Sequence, residues 1–217
     1  MNQLIFKFPF KTNYFEEDFY VSANNFKAYK LIESWPKWSS KFVNIFGPSG
    51  CGKTHLANIF KQKINSFFIK ASDLNNDSLS AIKIKECLII DDYKNNVDEK
   101  LFYSILNQCL LSNQYIIINS LKSIQSFEFK LNDLKSRFSS FVAIGIGLPT
   151  DELIKVIISK NFSDKQVKID EKLLVYILKN IDRSYEGIFD LIDKLDNFSL
   201  STGKSININL IKKALNK

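Results

Sequence analysis

An eight-residue stretch constrains the fold of this chain more than any other feature. It fits the pattern G-x-x-x-x-G-K-[ST] completely and consists of Gly47, Pro48, Ser49, Gly50, Cys51, Gly52, Lys53 and Thr54. The apolar run 42–46 precedes it and predicts a buried strand, whereas Leu56, Ile59 and Phe60 follow it at helical spacing. A strand, a glycine-rich loop and a helix in this order are the context in which the pattern indicates a phosphate-binding loop.

The residue types of this loop suit the phosphates of a nucleotide. Glycines let backbone N–H groups turn towards phosphate oxygens, and the helix N-terminus adds the positive end of its dipole. We expect Lys53 to reach the β- and γ-phosphates and the Thr54 hydroxyl to ligate Mg²⁺. We count His55, the only histidine, with the nucleotide-binding loop, but we expect it to be structural because no carboxylate or serine stands at a triad-like spacing.

Two further strand ends carry polar side chains. The apolar run 87–90 ends in Asp91 and Asp92. We expect Asp91 to hold Mg²⁺, directly or through water, and Asp92 to orient or activate an attacking water. The apolar run 115–118 ends in Asn119 and Ser120, and a polar residue there can sense the γ-phosphate. On these residues alone, a simple turn at the strand end is an equally good interpretation.

The order of the elements predicts the fold class. Strand-like runs alternate with helical patterns as far as residue 146, which predicts an α/β fold with a parallel sheet covered on both faces. Beyond that point the pattern is helical only, with helices starting near residues 151, 170, 184 and 209. We therefore predict an extended tail at 1–12, a nucleotide-binding core at 13–148 and a small helical bundle at 149–217.

Composition limits the class of protein. The chain has 217 residues, 45% of them hydrophobic, which is enough for one substantial core and a small appendage. Its net charge of +7 is spread as single lysines, so we expect solvated lysine faces and only indirect contact with DNA. Cys51, Cys87 and Cys109 lack metal-ligand spacing, and neither a signal peptide nor a long apolar run is present. We therefore expect a reduced, cytoplasmic protein without membrane contact.

Arginine is rare in this chain. Of the 30 basic residues only two are arginines, Arg137 and Arg183. A guanidinium is planar, always charged and able to bind a phosphate through two parallel hydrogen bonds, which an ammonium cannot do. We therefore expect both positions to require that geometry. The alternative is a coding bias against arginine, with these two arginines remaining by chance.

Four motifs in a fixed order make the chain resemble the AAA+ domain of the DnaA family of bacterial replication initiators. They are GPSGCGKTHL at 47–56, IIDD at 89–92, LKSRF at 134–138 and DRSYEG at 182–187. The resemblance covers residues 13–217 and implies a P-loop AAA+ αβα sandwich with a parallel sheet, followed by an α-helical lid. It also implies bound ADP or ATP with Mg²⁺, the adenine being flanked by Phe19, Tyr20 and Val21, with Asn25 nearby.

The same resemblance implies roles for both arginines. Arg137 would be the arginine finger that reaches the nucleotide of a neighbouring subunit, and Arg183 the sensor-2 arginine that reaches the nucleotide of its own subunit. Asn119 and Ser120 fall at sensor 1, where initiators usually carry an acid, and this departure leaves the sensor-1 residue open. Asp92 stands where AAA+ motors usually carry Glu, so we expect weak ATP hydrolysis by the chain itself.

Other features are similar to the Hda-like regulators, which inactivate DnaA. The sequence ends after the lid, where an initiator would continue into a DNA-reading domain, and the WPKW segment at 35–38 is similar to regulators of the alphaproteobacterial type. Residues 3–8 are similar to peptides that dock on the DNA polymerase sliding clamp, with Gln3 as the anchor and Leu4, Phe6 and Phe8 filling an apolar pocket. The apolar alternation also fits a packed edge strand, which the following proline permits.

The resemblance thus implies a clamp-tethered regulator with two partners, DnaA and the sliding clamp (beta subunit). It would stimulate ATP hydrolysis by DnaA and so act negatively on replication initiation. The resemblance leaves open whether the protein also forms homo-oligomers through the same AAA+ interface. One alternative is an autonomous AAA+ ATPase acting on DNA, such as a helicase loader or a truncated initiator paralogue. Another is a nucleotide-gated scaffold without catalysis. A small-molecule kinase would use the same loop, but no acceptor-site motif supports it.

Overall fold

The computed structural model describes residues 14–167, 169–203 and 205–215, without the side chain of Thr202. The described chain forms two compact units, one from Tyr14 to Gly147 and one from Leu148 onwards. The predicted N-terminal tail lies outside the described residues.

The first unit is built on a parallel sheet. Its described strands are β1 (Phe42–Phe46), β2 (Ser66–Lys70), β3 (Cys87–Tyr93), β4 (Tyr115–Ser120) and β5 (Val142–Gly145). They pair in the order β2-β3-β4-β1-β5, and every pairing is parallel. The connecting helices are α1 (Phe26–Ser34), α2 (Lys53–Lys63), α3 (Ser78–Lys83), α4 (Glu99–Leu111) and α5 (Asn132–Ser139). This architecture confirms the predicted α/β class.

Both faces of the central strands β1, β3 and β4 are largely buried, which explains why their sequences are continuous apolar runs rather than alternating ones. One face packs against α4 and α5 in a core that includes Leu88, Ile90, Ile116, Ile118, Phe102, Ile105, Leu106, Leu134 and Phe138. The alternate strand residues point the other way, because successive side chains of a strand face opposite sides. Because the strands are parallel, the carboxyl ends of β1, β3 and β4 lie at the same edge of the sheet, which is where open parallel sheets bind ligands.

One polar residue lies in the centre of this apolar sheet. Asn44 of β1 is completely buried and pairs in register with Ile118 of β4. Its Nδ2 donates to the Ile118 carbonyl at 2.8 Å and to Ser120 Oγ at 2.9 Å, while its Oδ1 accepts from the Ile124 amide at 2.9 Å. The side chain thereby joins β1, β4 and the turn that follows β4.

The second unit is helical. Its described helices are α6 (Asp151–Asp164), α7 (Glu171–Asn180), α8 (Tyr185–Thr202) and α9 (Ile208–Ala214). Side chains cap their N-termini: Thr150, Asp170, Ser184 and Asn207 each accept from a backbone N–H in the first turn. The core between the helices includes Ile154, Ile158, Phe162, Ile177, Ile188, Leu195 and Ile211. Within the described ranges, no helix combines the length and the hydrophobicity that crossing a bilayer requires.

Candidate functional site

The glycine-rich loop connects the end of β1 to the start of α2. Gly50 and Gly52 have φ of 78° and 98°, a region that glycine adopts without strain. A Cβ at Gly52 would come 2.9 Å from Phe19 Cε2, so space as well as φ requires glycine there. The Lys53 ammonium donates to the carbonyl oxygens of Gly47 at 2.9 Å and of Pro48 at 2.8 Å. The loop therefore curls around the cationic end of Lys53, at the N-terminus of a helix, where anions are favoured.

The structure brings Thr54, Asp91 and Asn119 together at the carboxyl edge of the sheet. Thr54 Oγ1 donates to Asp91 Oδ2 at 2.9 Å, and Asn119 Nδ2 donates to Asp91 Oδ1 at 2.8 Å. Asp91 is only 7% exposed and Asn119 is fully buried. Because β3 and β4 are adjacent and parallel, their ends deliver both side chains to the same place. We call these three residues the Asp91 cluster.

The Asp91 cluster has the chemistry of a divalent-cation site that is completed by phosphate. Both hydrogen bonds to Asp91 come from neutral donors, so neither of them brings a positive charge to this carboxylate. Asn119 Oδ1 is buried and finds no donor in the described part of the chain. The described residues contain no group of three or more His, Cys, Asp or Glu side chains able to hold a metal. A site with one carboxylate and one hydroxyl suits Mg²⁺, which keeps waters and takes its other ligands from substrate phosphates.

Two of the predicted catalytic residues lie elsewhere. Ser120 turns to the opposite side from Asn119, because neighbours in a strand face opposite ways, and its hydroxyl donates to the Lys122 carbonyl. A catalytic Ser120 is therefore not supported. Asp92 has a φ of 57° at the point where the β3–β4 register shifts, and its exposed carboxylate forms an ion pair with Lys94 at 2.9 Å. The structure thus places Asp92 next to the Asp91 cluster in sequence but outside its hydrogen bonds.

The segment expected to flank adenine is held in place by its neighbours. Phe19 stacks on Tyr29 of α1, with ring centroids 5.9 Å apart and planes 9° apart. Asn25 Nδ2 donates to the Tyr20 carbonyl at 2.9 Å and Asn25 Oδ1 accepts from the Ser22 amide at 2.9 Å. The Tyr20 side chain is 42% exposed. Val21, by contrast, is half-buried. The sequence pattern did not indicate a role for Tyr29, because one aromatic residue in a short helix indicates only packing.

The two arginines have different surroundings. Arg137 lies in the last turn of α5, whose residues Leu134 and Phe138 are buried. Its side chain is half-buried, and its guanidinium forms no hydrogen bond or ion pair within the described residues. Arg183 precedes α8 and pairs with the Asp151 carboxylate at 3.4 Å, both side chains being more than half exposed at 62% and 52%. Arg183 is thus held by an ion pair within its own unit, whereas the Arg137 guanidinium has no such partner among the described residues.

The cysteines are reduced and buried. Cys51, Cys87 and Cys109 are all free thiols. Burial raises the pKa of the Cys51 thiol, against a smaller opposite effect of the nearby Lys53 ammonium. Burial raises the pKa of Cys109 to about 12 and that of Cys87 still further. The thiol within the glycine-rich loop is therefore neutral at physiological pH and does not repel an anion there.

The predicted clamp-binding residues Gln3, Leu4, Phe6 and Phe8 lie outside the described residues.

Comparison with known proteins identifies two family models along the chain. The model described as RNA helicase matches residues 43–131, which include the glycine-rich loop and the Asp91 cluster. The model described as the lid domain of Hda matches residues 151–215. The chain is 25% identical over 238 residues to the chromosomal replication initiator protein DnaA of Borrelia garinii subsp. bavariensis. That alignment covers 97% of this chain and 49% of the relative, so the chain spans about half the length of the DnaA proteins that it matches.

Solved structures of similar fold include two DnaA proteins. Domain III of the Thermotoga maritima replication initiation protein DnaA has a TM-score of 0.77 at 22% identity, covering 96% of this chain and 98% of that one. AMPPCP-bound DnaA from Aquifex aeolicus has a TM-score of 0.69 at 22% identity, covering 88% of this chain and 67% of that one. These likenesses confirm the predicted AAA+ fold. The chain therefore has an AAA+ fold and is similar to the DnaA and Hda proteins, with a helical second unit that matches the lid model of Hda.

Proposed function

We propose that this protein binds an adenine nucleotide and stimulates ATP hydrolysis by the replication initiator DnaA. The observation that carries the nucleotide-binding part is the Asp91 cluster, in which Thr54 Oγ1 lies 2.9 Å from Asp91 Oδ2 at the end of the glycine-rich loop. The lid supports the regulatory part, because its residues match the lid model of Hda. The similar DnaA structure from Aquifex aeolicus has AMPPCP bound, which supports adenine as the base.

The residues suggest how each part of the nucleotide is held. Backbone N–H groups of residues 49–54 and the Lys53 ammonium bind the phosphates. Thr54 and Asp91 would bind Mg²⁺, which would supply positive charge to the phosphates, and Asn119 positions Asp91 through the hydrogen bond that its Nδ2 donates. The adenine lies against the segment 19–21.

Arg137 acts on the nucleotide of DnaA rather than on that of its own chain. Its guanidinium has no partner within the described residues, whereas the buried side chains of Leu134 and Phe138 fix the helix that carries it. A fork with five N–H donors on a fixed helix suits the charge that develops on transferring phosphoryl oxygens. An arginine finger supplied in trans accelerates hydrolysis by about 10³–10⁵-fold.

The substitution Arg137→Lys tests this role, because it keeps the positive charge and loses the fork. We expect R137K to abolish stimulation of DnaA ATP hydrolysis, measured as phosphate release from ATP-bound DnaA on loaded clamps, with unchanged melting temperature and nucleotide affinity. Lys135→Arg is the matched control, since it alters an exposed side chain of the same helix in the opposite sense and should leave stimulation intact. Full stimulation by R137K would reject the role.

The tether to the sliding clamp is proposed from the sequence alone. Deletion of residues 1–8, or alanine at Gln3, Leu4, Phe6 and Phe8 together, should abolish retention of the protein on immobilised sliding clamp. The same variants should keep their nucleotide affinity, because the Asp91 cluster and the glycine-rich loop are untouched. Equal retention of full-length and shortened protein would rule the tether out.

A second candidate is an autonomous ATPase that acts on DNA. The observation in its favour is the exposed carboxylate of Asp92, which directly follows Asp91 and could polarise a water. This function predicts DNA-stimulated ATP hydrolysis by the protein alone, unaffected by deletion of residues 1–8 and lost in Asp92→Asn. The regulator predicts little hydrolysis without DnaA and no dependence on Asp92.

A further inference from the structure

His55 connects the phosphate-binding helix to the segment before α1. It stands in the first turn of α2, immediately after Thr54. Its Nε2 lies 2.7 Å from the carbonyl oxygen of Phe15. A carbonyl oxygen only accepts hydrogen bonds, so the ring nitrogen facing it carries a proton. The only histidine of the chain is thus a hydrogen-bond donor to backbone 40 residues earlier.

Two aromatic rings hold the imidazole of His55 in place. Its centroid is 5.4 Å from that of Tyr14, at an interplanar angle of 65°, and 5.3 Å from that of Phe19, at 82°. Both arrangements are edge-to-face, which aromatic pairs favour. Phe19 also lies against Gly52 of the glycine-rich loop, where an added Cβ would be 2.9 Å from its ring. His55 and Gly52 therefore contact the same aromatic ring, one from the phosphate-binding helix and one from the loop before it.

The other connections between this segment and α2 are weaker. Gln62 Nε2 reaches the Tyr14 carbonyl only at 3.5 Å, and this bond and that of His55 are both exposed. Lys63 pairs with Glu16 at 3.6 Å, with the two side chains 29% and 45% exposed. Exposed ion pairs of this kind contribute little. Of these three links between the described residues, the short bond of His55 with its two ring contacts is the strongest.

We propose that His55 is a positioning residue that fastens segment 14–21 to α2 and so makes the affinity of the phosphate-binding loop depend on the adenine base. The inference rests on the proposed function, which places adenine against residues 19–21. The phosphates are bound by α2 and its preceding loop, whereas the base is bound by a separate segment. Binding the phosphates and the base at the same time requires a fixed distance between α2 and segment 14–21. His55 sets this distance, and in the proposed scheme it touches neither the phosphates nor Mg²⁺.

The test compares ATP with inorganic tripolyphosphate, which lacks base and sugar, by calorimetric titration of the full-length protein in Mg²⁺. For His55→Ala we expect ATP affinity to fall about tenfold, from the loss of one hydrogen bond and two ring contacts, with tripolyphosphate affinity within about twofold of wild type. His55→Gln retains an N–H donor of similar reach and should lie between the two. Lys61→Gln is the control, because it changes an exposed side chain of the same helix, and it should resemble wild type.

Each outcome bears on a different statement. If His55→Ala weakens ATP and tripolyphosphate equally, or weakens neither, the positioning role is wrong and the proposed nucleotide site stands. If wild-type protein binds tripolyphosphate as tightly as ATP, no base is recognised and the inference falls with the adenine assignment. If wild-type protein binds neither compound, the proposed nucleotide site itself is refuted. Hydrogen exchange of residues 14–19 without nucleotide gives a second readout, and unchanged protection in His55→Ala would also overturn the inference.

Discussion

The contact between Asn119 and Asp91 makes a specific prediction for Asn119→Asp. Asn119 is fully buried and its Nδ2 donates to Asp91 Oδ1 at 2.8 Å. The substitution is nearly isosteric, so packing is preserved while the donor is replaced by a second carboxyl group. Two carboxylates that share a buried site cannot both stay ionised without a large cost. The variant must therefore either accept the repulsion or bind one additional proton.

Both routes lead to a similar destabilisation near neutral pH. Repulsion between unit charges about 4 Å apart, at an effective dielectric constant of about 20, is about 4 kcal/mol. Protonating one aspartate instead costs about 1.4 kcal/mol for each pH unit above its ordinary pKa of about 3.9, hence about 4 kcal/mol at about pH 7. The protonated carboxyl regains a hydrogen bond that contributes about 1 kcal/mol. We expect N119D to lose about 3–4 kcal/mol of unfolding free energy at neutral pH.

The dependence on pH distinguishes this explanation from simple loss of a contact. The folded variant holds its extra proton at a pH where the unfolded chain has released it, so the folded state binds more protons and stability falls as pH rises. The stability gap between wild type and N119D should therefore shrink as pH falls from about 7 towards about 4, where the unfolded aspartates also bind protons. Urea denaturation at several pH values measures this gap.

Asn119→Leu is the matched control. It removes the donor without adding a charge, so the difference in unfolding free energy between N119L and wild type should change little with pH over the same range. A gap for N119D that stays constant over that range would refute the shared proton, and with it the contact of Asn119 with Asp91. Mg²⁺ with nucleotide should stabilise N119D more than wild type, because a divalent cation neutralises a carboxylate pair.

Two further predictions concern the loop and the lid. Gly52→Ala should lower the unfolding free energy by about 1–3 kcal/mol and weaken nucleotide binding, because φ is positive and the new methyl group collides with Phe19; an unchanged melting temperature would contradict the loop geometry. Asp151→Asn should lower the unfolding free energy by at most about 1 kcal/mol, since it removes an exposed ion pair with Arg183; a larger loss would contradict the exposure of that pair. Glu152→Gln removes the same charge from the same helical turn, and an equal loss in that variant would attribute the effect to general electrostatics rather than to the ion pair.

The part of the site that follows local pattern could be predicted from the sequence. The glycine-rich motif specifies which residue is the lysine and which the hydroxyl, and a parallel sheet delivers strand ends to one edge. Together these rules predict that Thr54 and Asp91 meet, and the structure places them 2.9 Å apart. The same rules could not decide between Asn119 and Ser120. That choice depends on the register of β4 against β3, which is a property of the paired strands.

Where the backbone departs from regular geometry, the sequence pattern was less informative. Asp92 was predicted to orient or activate an attacking water because it ends the same apolar run as Asp91, but its positive φ directs it to Lys94 and solvent. Helix α3, Ser78–Lys83, has six residues, too few for an apolar periodicity to be recognised. Asn44 carried a signal, a polar residue within the run FVNIF, but its partners became apparent only when β4 lay beside it.

The position of Asn44 has a consequence for how the sheet reaches its correct alignment. A shift of β1 by two residues would keep each of its side chains on its original face, so hydrophobic burial by itself barely opposes it. Such a shift separates the amide of Asn44 from the Ser120 hydroxyl and the Ile124 amide, leaving desolvated groups that cost about 1–3 kcal/mol each. Asn44 therefore favours the correct alignment of β1 with β4, the strand whose end contributes Asn119 to the Asp91 cluster.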